Sequence, residues 1–151
     1  MFKSKPDQID FTHIREAPVI NCVVRHKDNI LLVRRSFKVH FYPGLWNGIS
    51  GFLDDSQDEM DKVREELEEE LSLGRADILN IRSGKIFEVK DPSYDKVWLV
   101  HTVLVEVGTE QVKLNWEATD YVWIPPEKLS EFELVPGFEK VVAEFALNPS
   151  Q

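Results

Sequence analysis

Three glutamates set the first question about this chain. Glu66, Glu69 and Glu70 stand in the run VREELEEELSL. Residues three and four apart on a helix are neighbours, so a helix here crowds these carboxylates along one side. Like charges at that spacing weaken an isolated helix. The commonest use for such a cluster is a hard divalent cation, which takes oxygen ligands. The competing reading is a solvated acidic helix face, the usual fate of a glutamate-rich surface helix.

The surroundings favour the first reading. Residues 51–73 read GFLDDSQDEMDKVREELEEELSL, a glycine loop leading into the helix. Met60, Val63, Leu67 and Leu71 form an apolar stripe, and the acids fall beside it. One flank can then pack on a sheet while the acids line the edge of a cleft. A loop that brings main-chain groups close to metal or phosphate favours a residue without Cβ, which is the reading for Gly51.

This spacing resembles the Nudix box, G-x5-E-x7-R-E-U-x-E-E-x-G-U, where U is a bulky aliphatic residue. Gly51, Glu66, Leu67, Glu69, Glu70 and Leu73 match it; Gln57, Glu65 and Ser72 stand where a glutamate, an arginine and a glycine belong. Two further segments carry the resemblance. Pro43–Gly51, PGLWNGISG, is similar to the family's approach to the box. Asn115–Trp123, NWEATDYVW, is similar to its N-x-E-x-x-E-Y-x-W segment. With the strand Asn29–Arg35 and its trailing basic residues, the likeness spans roughly residues 17 to 147.

The resemblance implies an α/β/α sandwich with a mixed central sheet and the catalytic-type helix at about 57–72, in one Nudix domain over 1–151. It implies a hydrolase that cleaves a diphosphate linkage in a nucleotide or related nucleoside diphosphate derivative. Mg²⁺ is the expected cofactor, with Mn²⁺ as an alternative, held by Glu66, Glu69 and Glu70. Glu117 is a further candidate catalytic carboxylate. Candidate substrate contacts are Arg34, Arg35, Trp46, Asn47, Gly51 and Asp120; Asn47 resembles the asparagine of W-N-G in members acting on purine nucleotides.

Glu65 is the departure with the largest chemical consequence. The family's arginine there orients a catalytic glutamate through a charge-assisted hydrogen bond, which another glutamate cannot do. Lys62, on the acid face and four residues before Glu66, is the expected stand-in, alongside a residue from another strand. Arg64 points elsewhere, because one residue turns the side chain by about 100°. Two other functions stay open. One is a catalytically impaired Nudix-like binding or regulatory module. The other is a same-fold isomerase of an isoprenoid diphosphate, which would need Cys22 in the cleft.

Composition narrows the setting. The 151 residues, 42% hydrophobic, suit one domain with one core. A net charge of −9 argues against nucleic acid as a partner, and no apolar run reaches membrane-span length. The single Cys22 and an N-terminus without a signal-peptide core point to a cytoplasmic protein. The four histidines show no metal-ligand spacing.

Periodicity places the elements. Strands are expected at 19–25 and 29–35 as a hairpin, at 46–52, at 78–89 and 96–107 as neighbours, at 112–114 and at 121–124. Asp54, Asp55 and Ser56 are expected to cap the acidic helix. A helical turn is expected at 126–131 and a closing helix at 137–147. Residues 1–16 read as an irregular lead-in, available to a homodimer contact.

Overall fold

β-Branched and aliphatic residues dominate the longest extended segments, and these form one seven-stranded sheet. The computed structural model describes residues 15–53 and 56–147. The strands are β1 (Glu16–His26), β2 (Asn29–Arg35), β3 (Trp46–Asn47), β4 (Ile49–Phe52), β5 (Ile78–Asp91), β6 (Lys96–Val107) and β7 (Ala118–Ile124). Among the described residues two α-helices, α1 (Glu59–Leu71) and α2 (Phe138–Glu144), accompany them.

β1 lies at the centre. It runs parallel to β6 on one side, and its other side is shared by β4 and β2, both antiparallel. β5 pairs antiparallel with β6, and β7 with β2. The sheet is therefore mixed, as expected.

Alternation along β1 divides two cores. Ile20, Cys22 and Val24 face one way, onto Val63, Leu67 and Leu71 of α1. Ala17 and Val23 face the other way, onto Phe138, Val141 and Val142 of α2. A sheet with a helix on each face is the expected sandwich. Each fully buried aliphatic side chain of α1 contributes roughly 1.5–3 kcal/mol toward fixing the helix on the sheet.

Several expected boundaries move. The strand expected over 46–52 is two strands broken at Gly48, because β3 pairs with β2 while β4 pairs with β1. A Cβ at Gly48 would lie 2.3 Å from the Cys22 carbonyl oxygen, so the chain changes partners at a residue with no side chain. Residues 112–114 form no strand; Val112 and Leu114 pack on the α1-side core instead. The acidic helix starts after Asp58, whose carboxylate accepts from the Met60 and Asp61 amides; Asp54 and Asp55 lie outside the described residues. The closing helix is shorter than expected and ends before Ala146, whose φ is 48°. The expected turn at 126–131 is a 3-10 helix. Most of the expected lead-in, residues 1–14, lies outside the described residues.

Candidate active site

The acidic side chains of α1 do not all face the same way. Glu66 and Glu70 are buried, whereas Glu69 is exposed. From Glu66, four residues on turns the helix by about 40° toward the sheet, and three residues on turns it about 60° the other way. The expected trio is thus a buried pair with Glu69 on the neighbouring, solvent-facing flank. Among the described residues no three His, Cys, Asp or Glu side chains converge on one point.

Gly51 of β4 lies directly under Glu66. A Cβ built there would meet the Glu66 carboxyl carbon and Oε1, both at 2.8 Å. The glycine is what lets Glu66 lie flat against the strand. Lys62, one turn earlier on α1 and 1% exposed, donates to Glu66 Oε1 at 2.8 Å. Its ammonium also lies 3.7 Å from Glu65 Oε2, which accepts from Gln57 Nε2 at 2.8 Å. The expected stand-in for the missing arginine thus contacts Glu66 directly.

Two ionised carboxylates here are unfavourable without a proton or a further cation. Burial pushes the Glu70 carboxyl well above the usual carboxylate range, and the Glu66 carboxyl beside it and the charge of Glu117 push the same way. Arg35 opposes them. Glu70 Oε2 is buried with no hydrogen-bond partner. A buried carboxylate oxygen without a donor costs free energy unless a proton or a cation meets it. Two convergent carboxylates, one with an orphaned oxygen, suit Mg²⁺, which is bound through one or two carboxylates and keeps waters and phosphate oxygens for the rest.

Arg35, at the end of β2, faces this cluster. Burial lowers its pKa, while Glu70 and Glu117 raise it; guanidinium remains charged. Its Nε donates to the Phe41 carbonyl, which fixes the guanidinium in place. Glu117 is half-buried, and its carbonyl accepts from the Ser36 amide, tying the segment before β7 to the end of β2.

On the α2 side of the sheet a pocket, partly open to solvent, reaches the same spot; Gly51 and Arg35 line it. Its walls are Phe41, Phe52, Trp98 and Val100, and its polar end is Asn21, Asn47 and Ser50. Asn21 Nδ2 donates to Asn47 Oδ1 at 3.1 Å, and Asn47 Nδ2 donates to Ser50 Oγ at 3.3 Å. Tyr42 stiffens the wall, accepting from Trp98 Nε1 at 2.8 Å and donating to Asp91 at 2.5 Å. Burial and the bond to Asp91 push the Tyr42 phenol up, so it stays a neutral donor.

The structure therefore brings together Glu66, Glu70, Glu117, Arg35 and Gly51, with Asn47 at the adjoining pocket. Arg34, Trp46 and Asp120 are set apart. They form a cross-strand row over β7, β2 and β3 and do not line the pocket. The Arg34 guanidinium is engaged by the Gly44 carbonyl and the Phe37 ring, and Trp46 packs on Phe132. Asn21, Tyr42 and Trp98 escaped recognition as pocket residues. Asn21 carried a signal: one amide inside the apolar run VINCVV. Cys22 is fully buried, and burial, then Glu66 and Glu70, raise its pKa. A neutral, enclosed thiol gives the isomerase alternative no reactive cysteine.

A family model described as the NUDIX domain matches residues 15–145. The chain belongs to the Nudix family. Solved Nudix structures share its fold at low identity. An Ap4A hydrolase from C. elegans superposes with a TM-score of 0.70 at 18% identity, over 86% of this chain and 95% of that one. The NUDIX domain of Shewanella oneidensis NrtR, complexed with ADP ribose, gives 0.72 at 16%, over 93% and 92%. A MutT NUDIX hydrolase from Burkholderia pseudomallei gives 0.71 at 15%, over 86% and 98%. No curated protein matches the chain in sequence. No helix among the described residues is long and apolar enough to cross a membrane.

Proposed function

We propose that this Nudix protein is a Mg²⁺-dependent hydrolase that cleaves a diphosphate linkage in a nucleotide or related nucleoside diphosphate derivative. The observation that carries the reading is the buried Glu66–Glu70 pair, Glu66 against Gly51 and one Glu70 oxygen unpartnered. Glu66 and Glu70 would hold the metal, and Glu69, exposed one flank away, would complete the set through water or substrate oxygen. When bound, Mg²⁺ supplies Lewis-acid stabilisation of phosphoryl charge and a more acidic water.

The chain's own residues do the rest. Lys62 holds Glu66 in place, and the absent side chain at Gly51 leaves the Glu66 carboxyl room against β4. Arg35 offsets negative charge where the pocket meets the acids. Phe41, Phe52 and Trp98 give a planar moiety an apolar seat, and Asn47 and Ser50 offer it polar partners. Water attacks one phosphorus, the bridging P–O bond breaks, and the released phosphoryl product keeps the bridging oxygen. The proton of the attacking water passes to a carboxylate, with Glu117 the one carried on a separate element from the pair.

The family relatives named above suggest where to look for substrate: ADP-ribose and diadenosine tetraphosphate, with nucleoside triphosphates and nucleotide sugars as the wider panel. Incubation with Mg²⁺ and chromatography of products tests the reading, with Glu70→Gln as control. The expected result is cleavage of at least one panel member that is lost in the variant and on adding chelator. Turnover equal in the variant, or none on any member, would refute the reading and favour a binding module.

A further inference from the structure

We infer that Gln57, Lys62, Glu65 and Glu66 are one rewired unit in which Lys62 positions Glu66, so the departures at 57 and 65 are a single coupled change. The inference rests on the reading of Glu66 as a site carboxylate. Three contacts link the four residues in series: Gln57 Nε2 to Glu65 Oε2 at 2.8 Å, Glu65 Oε2 to Lys62 Nζ at 3.7 Å, and Lys62 Nζ to Glu66 Oε1 at 2.8 Å.

Each residue type makes sense only beside the others. A buried ammonium requires an anion, and Lys62, 1% exposed, has two. Lysine placed four residues before glutamate is the weaker orientation for helix support. Burial against Glu66, not general helix stabilisation, is therefore what the pair provides. With lysine at 62, an arginine at 65 would set two cations one turn apart against one carboxylate. Glutamate there instead shares the ammonium. A glutamate at 57 would then face a second carboxylate at hydrogen-bond distance, whereas glutamine donates to it. Independent loss of two box positions would not produce a series of complementary contacts ending on Glu66.

Lys62 touches no reacting atom, so it is a positioning residue. Its test is a split between kinetic constants. Lys62→Met is expected to lower kcat on the best panel substrate by about 10–100-fold with little change in KM, and Lys62→Arg to recover most of the loss. Unchanged kcat in Lys62→Met, or equal losses in both variants, would overturn the positioning role.

The coupling needs no turnover to be read. Thermal midpoints of the metal-free protein are compared for Gln57→Glu, Glu65→Arg and the double variant. Each single change is expected to lower the midpoint, and the double to lie above the sum of the two. Additive shifts would overturn the unit. This cycle also decides the matter if Lys62→Met does not fold. Failure of every panel substrate would refute the proposed reaction and leave the thermal cycle to judge the wiring.

Discussion

Gly51 and Glu66 occupy adjoining space so tightly that one substitution tests their relation. In Gly51→Ala the new methyl would sit 2.8 Å from the Glu66 carboxyl, which must swing away from Lys62. The folded state should lose only about 1 kcal/mol, the low end for overpacking, because a side-chain end yields more easily than backbone. Hydrolysis should fall by at least about tenfold, since a 1 Å misplacement is known to cost more. Melting and initial-rate assays on the same preparation check both. Glu70 makes a second prediction. Its folded pKa is raised, so the metal-free protein is stabilised below the ordinary carboxylate pKa and loses that stability as pH rises through the folded value. The slope from one proton is at most about 1.4 kcal/mol per pH unit. Glu70→Gln should flatten the decline, and denaturant melts in chelator across pH 4.5–7.5 would show it. The identities of Glu66 and Glu70 were legible in the sequence because box spacing puts both on α1. That Glu69 faces solvent while Glu66 and Glu70 are buried was not, since it depends on which flank the sheet covers.

α1 shows how a helix end absorbs a departure. Ser72, where the family has glycine, adopts φ 59°, and its amide bonds to the Glu68 carbonyl while Leu73 bonds to Leu67. This is a left-handed cap that glycine adopts without strain. Ser72→Gly should therefore raise stability by about 0.5–1 kcal/mol without changing turnover, as seen by chemical denaturation. At the other end Asp58→Ala should cost about 1 kcal/mol through loss of the bonds to the Met60 and Asp61 amides. Helix and strand identities followed from periodicity, but partners did not. Nothing local distinguishes Trp46–Asn47 from Ile49–Phe52; the break at Gly48 exists because the Cys22 carbonyl of β1 lies against it. Likewise 112–114 has strand-like residues but spends its bonding on α1, with the Lys113 amide on the Leu71 carbonyl.

At the scale of the molecule, the sheet separates two jobs and Gly51 joins them. The α1 side holds the carboxylates, the α2 side holds the pocket, and β4 passes between. The sandwich was legible from the order of elements; the pocket was not, because Phe41, Tyr42 and Trp98 come from distant segments that only the fold assembles. The division predicts that cation binding acts on folding as a whole. A ligand that binds only the folded state at a hundred times its dissociation constant adds about 2.7 kcal/mol. The buried Glu66–Glu70 pair is proposed to take a divalent cation. Calorimetric titration of chelator-stripped protein with Mn²⁺, wild type beside Glu70→Gln, tests it most directly. A saturable site is expected in the wild type, its affinity at least about tenfold lower in the variant. Equal affinity in both proteins, or no binding in a folded wild type, would contradict it.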